Sequence, residues 1–177
     1  MLDVPESLTA LWELADDIAD RGVSDPLHAL EPAGLVLIRP LERWDHAYTP
    51  VNSLTFALTG EDGVHFGFLT DDDDDLESAP VVMTIPDAAG SCNLIVAGDF
   101  DEFLALGAIA GWFTLGQFDD DLDDALETLA TPDLDPWAER EQLLFTIREQ
   151  LELEPMPLTL KRFEELQLIY GEDIVVE

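Results

Sequence analysis

The chain has 177 residues, 47% of them hydrophobic, with forty acidic residues against seven basic ones and a formal charge of −33. Disorder requires high net charge together with low hydrophobicity, so this apolar content points to a folded domain. The charge argues against nucleic acid, because phosphate binding needs a basic patch. It argues equally against a membrane, because the longest uncharged apolar stretch, residues 103–115, falls short of the ~20 residues a span requires.

With so few cations, most carboxylates have no partner of opposite sign, and the compact state repels itself in dilute buffer. At ~1 M salt the Debye length is about 3 Å, and that repulsion is largely screened. The expected setting is therefore a cytoplasm that holds molar salt. Cys92 is the single cysteine, which precludes an intrachain disulfide and suits a reducing compartment. The N-terminal residues also lack the basic and apolar regions of a signal peptide.

In chain order, residues 5–21 carry Leu8, Leu11, Trp12, Ala15 and Ile18 at helical spacing. Asp3 and Glu6 suit a capping box, and Gly22 suits the stop. Asp25 and Pro26 open a short second helix. Residues 34–39 are apolar and β-branched enough for a strand.

The alternation of residues 51–59 puts Leu54, Phe56 and Leu58 on one face, and Val64, Phe66 and Phe68 repeat the pattern after a Gly60–Gly63 turn, which predicts a β-hairpin. His65 then falls on the face opposite Val64, Phe66 and Phe68, toward solvent or a second layer. Residues 80–85 and 93–97 are further strand candidates, joined by turn chemistry at 86–91. The acidic run 71–75 reads as a solvated loop.

Beyond Gly98, Asp99 caps a helix burying Phe100, Phe103, Leu104 and Gly107. Residues 103–115 read as a buried helix, with the Gly107–Gly111 spacing allowing close packing. Residues 119–129 form an acidic helix with Leu122, Leu126 and Leu129 inside. After a break at 131–133, Asp135 and Pro136 cap a long helix reaching Leu151, with Trp137, Leu144 and Ile147 inside. A last helix covers 159–170, stopped by Gly171, and residues 174–176 suit a terminal strand. This order predicts a single α+β domain, with an antiparallel or mixed sheet of about four to six strands, flanking helices, a core in 1–115 and a helical C-terminal part in 116–177.

Chemical motifs are sparse. An EF-hand begun at Asp119 or Asp71 lacks the glycine at its sixth position and the glutamate at its twelfth. His28, His46 and His65 have no zinc-ligand spacing, and no nucleophile elbow, phosphate loop or dinucleotide fingerprint occurs. Trp44, Asp45, His46, Tyr48 and Asn52 form a polar, aromatic approach to the hairpin. Of these, Trp44, His46, Tyr48 and Asn52, together with His65, make the candidate partner or ligand surface. No catalytic residue, metal or cofactor is expected.

Residues 48–53, 56–57 and 59–66, together with 80–86 and 96–104, resemble a bacterial branch of the SUKH (SMI1/KNR4) superfamily over roughly residues 40–115. The passage from Val96 through Asp99 and Phe100 to Leu104 is similar to that family's strand leading into a helix opened by an acidic residue and phenylalanines. The resemblance implies an α+β fold and a non-catalytic protein-binding role, many members being immunity proteins that neutralise toxins. It carries over no contact residue. The alternative is a small-ligand-binding protein or hydrolase built on His46 and His65, for which those two rings and a carboxylate would have to converge in a pocket.

Overall fold

The computed structural model describes residues 3–22, 25–70, 75–132, 135 and 138–177. Among these, five strands build one sheet: β1 (Val36–Glu42), β2 (Ser53–Leu58), β3 (His65–Leu69), β4 (Val81–Thr84) and β5 (Asn93–Ala97). Their order in space is their order in sequence, and every pair is antiparallel. Five α-helices flank it: α1 (Glu6–Asp20), α2 (Phe100–Gly107), α3 (Leu122–Leu129), α4 (Glu139–Gln150) and α5 (Leu160–Tyr170). The class is α+β, as expected. No helix among the described residues is long and apolar enough to cross a membrane.

The core is aromatic because β2, β3 and α2 each contribute phenylalanine to one face. Phe56 stands 4.8 Å from Phe68, and edge-on to Phe100 at 5.3 Å and Phe103 at 5.2 Å. Such edge-to-face pairs add to the free energy of area burial. α2 reaches this position because Asp99 ends the β5 connection with a side-chain cap on the Glu102 N–H at 2.8 Å. The predicted hairpin is present, its turn passing through positive φ at Gly60, Asp62 and Gly63.

Its alternation is interrupted, however. Leu54 pairs with Phe68, but Ala57 pairs with Phe66 and Leu58 with His65, so the register shifts between Thr55 and Ala57. Two residues, Phe56 and Ala57, oppose one on β3, which is a bulge. Leu58 therefore lies on the His65 side, not on the face of Leu54 and Phe56 as simple alternation predicts.

Other expectations are also corrected. Pro5 precedes α1 with no side-chain cap, so Asp3 and Glu6 form no capping box. Residues 103–115 are not one helix: α2 ends at Gly107, and a 3-10 turn covers Phe113–Gln117. The reason is Trp112, which folds back so that a Cβ on Gly107 would overlap the indole. Gly111, at φ +88, brings the backbone against Ala33 O. Gly171 adopts ordinary right-handed geometry and leads into a 3-10 turn, Gly171–Asp173. Residues 174–177 form no strand.

Asp25 does cap the short turn at Pro26–His28, accepting from the Leu27 N–H. α4 starts at Glu139, and the expected cap at Pro136 and packing of Trp137 lie outside the described residues. So do residues 71–74 of the acidic run, whose last member, Asp75, caps the turn Leu76–Ser78.

The C-terminal helices share the central core. Leu144, Ile147, Leu158, Phe163 and Leu166 join the same buried cluster as Phe56 and Phe103. Arg148 ties α4 to α2 by donating to Ala108 O at 2.7 Å while pairing with Glu141 at 3.0 Å. Arg162 of α5 grips Glu102 through Nε and Nη2 at 2.7 and 2.9 Å.

Candidate functional site

The site grows from the register of the sheet. His65 of β3 pairs with Thr84 of β4, and Thr84 with Asn93 of β5, and directly opposed residues share a face. These three polar side chains thus form a row across one end of the sheet, on the side away from the phenylalanines. Thr84 Oγ1 bonds Asn93 Oδ1 at 2.7 Å. Asn93 Nδ2 then donates to Tyr48 O at 2.9 Å, and Thr49 Oγ1 meets His65 Nε2 at 3.0 Å. The loop 44–52 is held from beneath by this row.

His65 is buried, only 4% exposed. It does not face solvent; it is an inner residue of a second layer, because the loop lies over it. Its Nδ1 lies 2.8 Å from Gly63 O, and a carbonyl only accepts, so Nδ1 carries the proton. Nε2 is then the acceptor for the Thr49 hydroxyl. Burial pushes the imidazole below its usual value, the Gly63 contact opposing and His46 adding slightly. The ring is neutral near pH 7.

Trp44 makes ring contact with His65 at 4.8 Å and with His46 at 5.1 Å, so the structure does bring these three together. His46 is exposed. Tyr48 donates to Asp87 Oδ1 at 2.6 Å, and that hydrogen bond raises its phenol above the ordinary value. Asn52 does a different job. Its Nδ2 donates to Asp173 O at 2.9 Å and its Oδ1 accepts from Val175 N–H at 3.1 Å, while Val51 N–H donates to Val175 O at 2.8 Å. The C-terminal residues expected as a strand are instead clamped against the start of β2.

This arrangement orders a surface. A general base must present a free nitrogen to its substrate, and both nitrogens of His65 are taken by the protein. Cys92 is partly exposed. Among the described residues no group of three or more His, Cys, Asp or Glu is arranged to hold a metal ion. Asp119, the first position of one failed calcium-loop match, spends its carboxylate on the N–H groups of Ala89 and Gly90 at 2.9 and 3.1 Å.

Thr49, Thr84 and Asn93 have no motif to mark them. They become visible only once strand register puts them in one row. No protein-family model matches this chain, and no curated protein matches it.

Proposed function

We propose that the chain is a non-catalytic protein-binding domain of the SUKH type, an immunity protein that neutralises a toxin in a cytoplasm of high salt. One observation carries this reading. The loop 44–52 is pinned from below by His65, Asn93 and the C-terminal residues, yet leaves Tyr48, Val51 and Val175 at the surface. A rigid platform with exposed aromatic and aliphatic groups suits partner recognition, where preorganised apolar anchors supply most of the affinity. The saturated ring of His65 weighs against the alternative, a hydrolase or small-ligand site on His46 and His65.

The test is co-expression with a toxin encoded beside this gene. Protection of the cells and a complex that survives molar KCl are expected. Tyr48→Ala with Val51→Asp should weaken that complex at least about tenfold, the loss of roughly one good anchor, without changing the far-UV circular dichroism. A toxin that stays fully active in excess of this protein overturns the reading.

A further inference from the structure

At the other end of α5 lies a second surface. A cleft of about 1050 Å³ opens between α1, α2 and the stretch 150–159 that joins α4 to α5. The stretch alternates: Leu151 and Leu153 turn inward, while Glu152 and Glu154 are exposed. With buried Leu104 and Leu158 they give the cleft an aliphatic floor. Met156, 53% exposed, stands in its wall.

Carboxylates are unremarkable on a protein of this charge; several of them lining an aliphatic floor are not. Among the described residues, Arg162 is the only cation lining the cleft. It is committed to Glu102, whose Oε2 also accepts from the Gly98 N–H at 2.6 Å. Asp101, Glu152 and Glu154 make no ion pair among the described residues. Small-molecule pockets usually span about 300–1,000 Å³ and are mostly enclosed. This cleft is at least as large and is open to solvent, and a flexible methionine is typical of surfaces that receive apolar side chains of another polypeptide.

We infer that this cleft docks a cationic amphipathic segment of a partner protein, its leucine-like side chains on the floor and its lysines or arginines against Asp101, Glu152 and Glu154. The division of labour follows from the solvent. In molar salt the exposed charge pairs are screened, so the aliphatic contact holds the segment and the carboxylates select its sign and orientation. The inference is independent of the platform at Tyr48. The two surfaces lie toward opposite ends of α5, a helix of 11 residues about 16 Å long at 1.5 Å per residue, and share no residue.

The protein's three methionines make the test specific. With methyl-labelled methionine in molar KCl, a synthetic amphipathic peptide of leucine and lysine is titrated in. The Met156 methyl signal should shift saturably, while Met83, buried in the sheet, stays in place. A peptide with glutamate for lysine should bind measurably more weakly, by a margin that widens as the KCl is lowered, because like-charge contact is only partly screened at direct contact and less so in dilute salt. Met156→Lys, a change at an exposed position, should abolish saturable binding with circular dichroism unchanged. Glu152→Gln with Glu154→Gln should narrow the preference between the two peptides. The proposal is overturned if Met156 does not shift saturably, if both peptides bind alike, or if Met156→Lys binds as well as wild type. A Met156 signal that moves with protein concentration alone would assign the cleft to a second copy of this chain and overturn it too.

Discussion

His65 sets the most local prediction. Its folded-state pKa lies below the unfolded value because the charged ring would be buried beneath Trp44. In the window between the two values the unfolded chain binds more protons, so stability rises with pH there. The contribution is complete above the ordinary imidazole value of about 6.5 and is lost as pH falls below it. Protonating carboxylates also relieves self-repulsion in acid, so the wild-type profile mixes opposite trends. Subtracting the profile of His65→Gln isolates the ring. The stability advantage of wild type should shrink steadily below about pH 6.5, read by denaturant unfolding in molar KCl. A difference that is flat from neutral to mildly acid pH would mean the ring is already charged or solvated. Gly107 gives a second prediction at this scale. A methyl group there would overlap the Trp112 indole, which is fully buried and donates Nε1–H to Phe103 O at 2.9 Å. Gly107→Ala should cost about 1–3 kcal/mol, as overpacked cores do, and a near-zero cost would show that Trp112 can move aside.

Elements were legible where local chemistry and tertiary demand agree. The cap at Asp99, the turn at 60–63 and the strand at Asn93–Ala97 each follow from residues within a few positions. Local pattern misleads where a distant group decides. Residues 103–115 have helical composition, but the indole of Trp112 needs the space beside Gly107 and ends α2 there. The bulge at Phe56 cannot be read from an alternation that continues through it, because it depends on how β3 is laid alongside. The candidate site was half legible: its aromatic loop is a segment, whereas the row beneath it is a product of pairing. Gln167 belongs to the same class. Nothing in α5 marks it, yet its Oε1 accepts from Ile95 N–H at 2.9 Å and its Nε2 donates to Ile95 O at 2.6 Å. The amide thus stands in for a neighbouring strand on the outer edge of β5, which protects an edge that would otherwise offer itself to another chain. Gln167→Leu should cost about 1–3 kcal/mol for the unpaired backbone groups. Gln167→Glu should cost nearly as much, because a carboxylate cannot donate to Ile95 O. Equilibrium unfolding checks both, and a Glu variant as stable as wild type would show that water serves that carbonyl equally well.

At the scale of the whole molecule the deciding quantity is charge per area. A charge of −33 over 9268 Å² of surface leaves about 280 Å² per net charge, a mean spacing of about 17 Å, against Debye lengths of ~30 Å at 0.01 M and ~3 Å at 1 M salt. Neighbouring charges therefore interact in dilute buffer and become nearly independent in brine. Few cations offset them locally. Arg39 pairs with Asp16, Arg148 with Glu141 and Arg162 with Glu102, while Lys161 reaches Glu165 only at 3.9 Å. The thermal midpoint should accordingly rise by about 10 °C or more between dilute buffer and molar KCl, the equivalent of several kcal/mol for a domain of this size. NaCl at the same ionic strength should act alike, and sucrose should do much less, since it excludes itself from surface without screening. A single substitution separates screening from a general effect of salt on the core. Glu127, exposed in the last turn of α3 and four residues after Asp123, adds like-charge repulsion and opposes the helix dipole. Glu127→Lys should stabilise by about 0.5–1 kcal/mol in dilute buffer and by clearly less in molar KCl. Equal gains in both solvents, or a wild type as stable in dilute buffer as in brine, would remove salt as the reason for the acidic exterior and leave its partners to explain it.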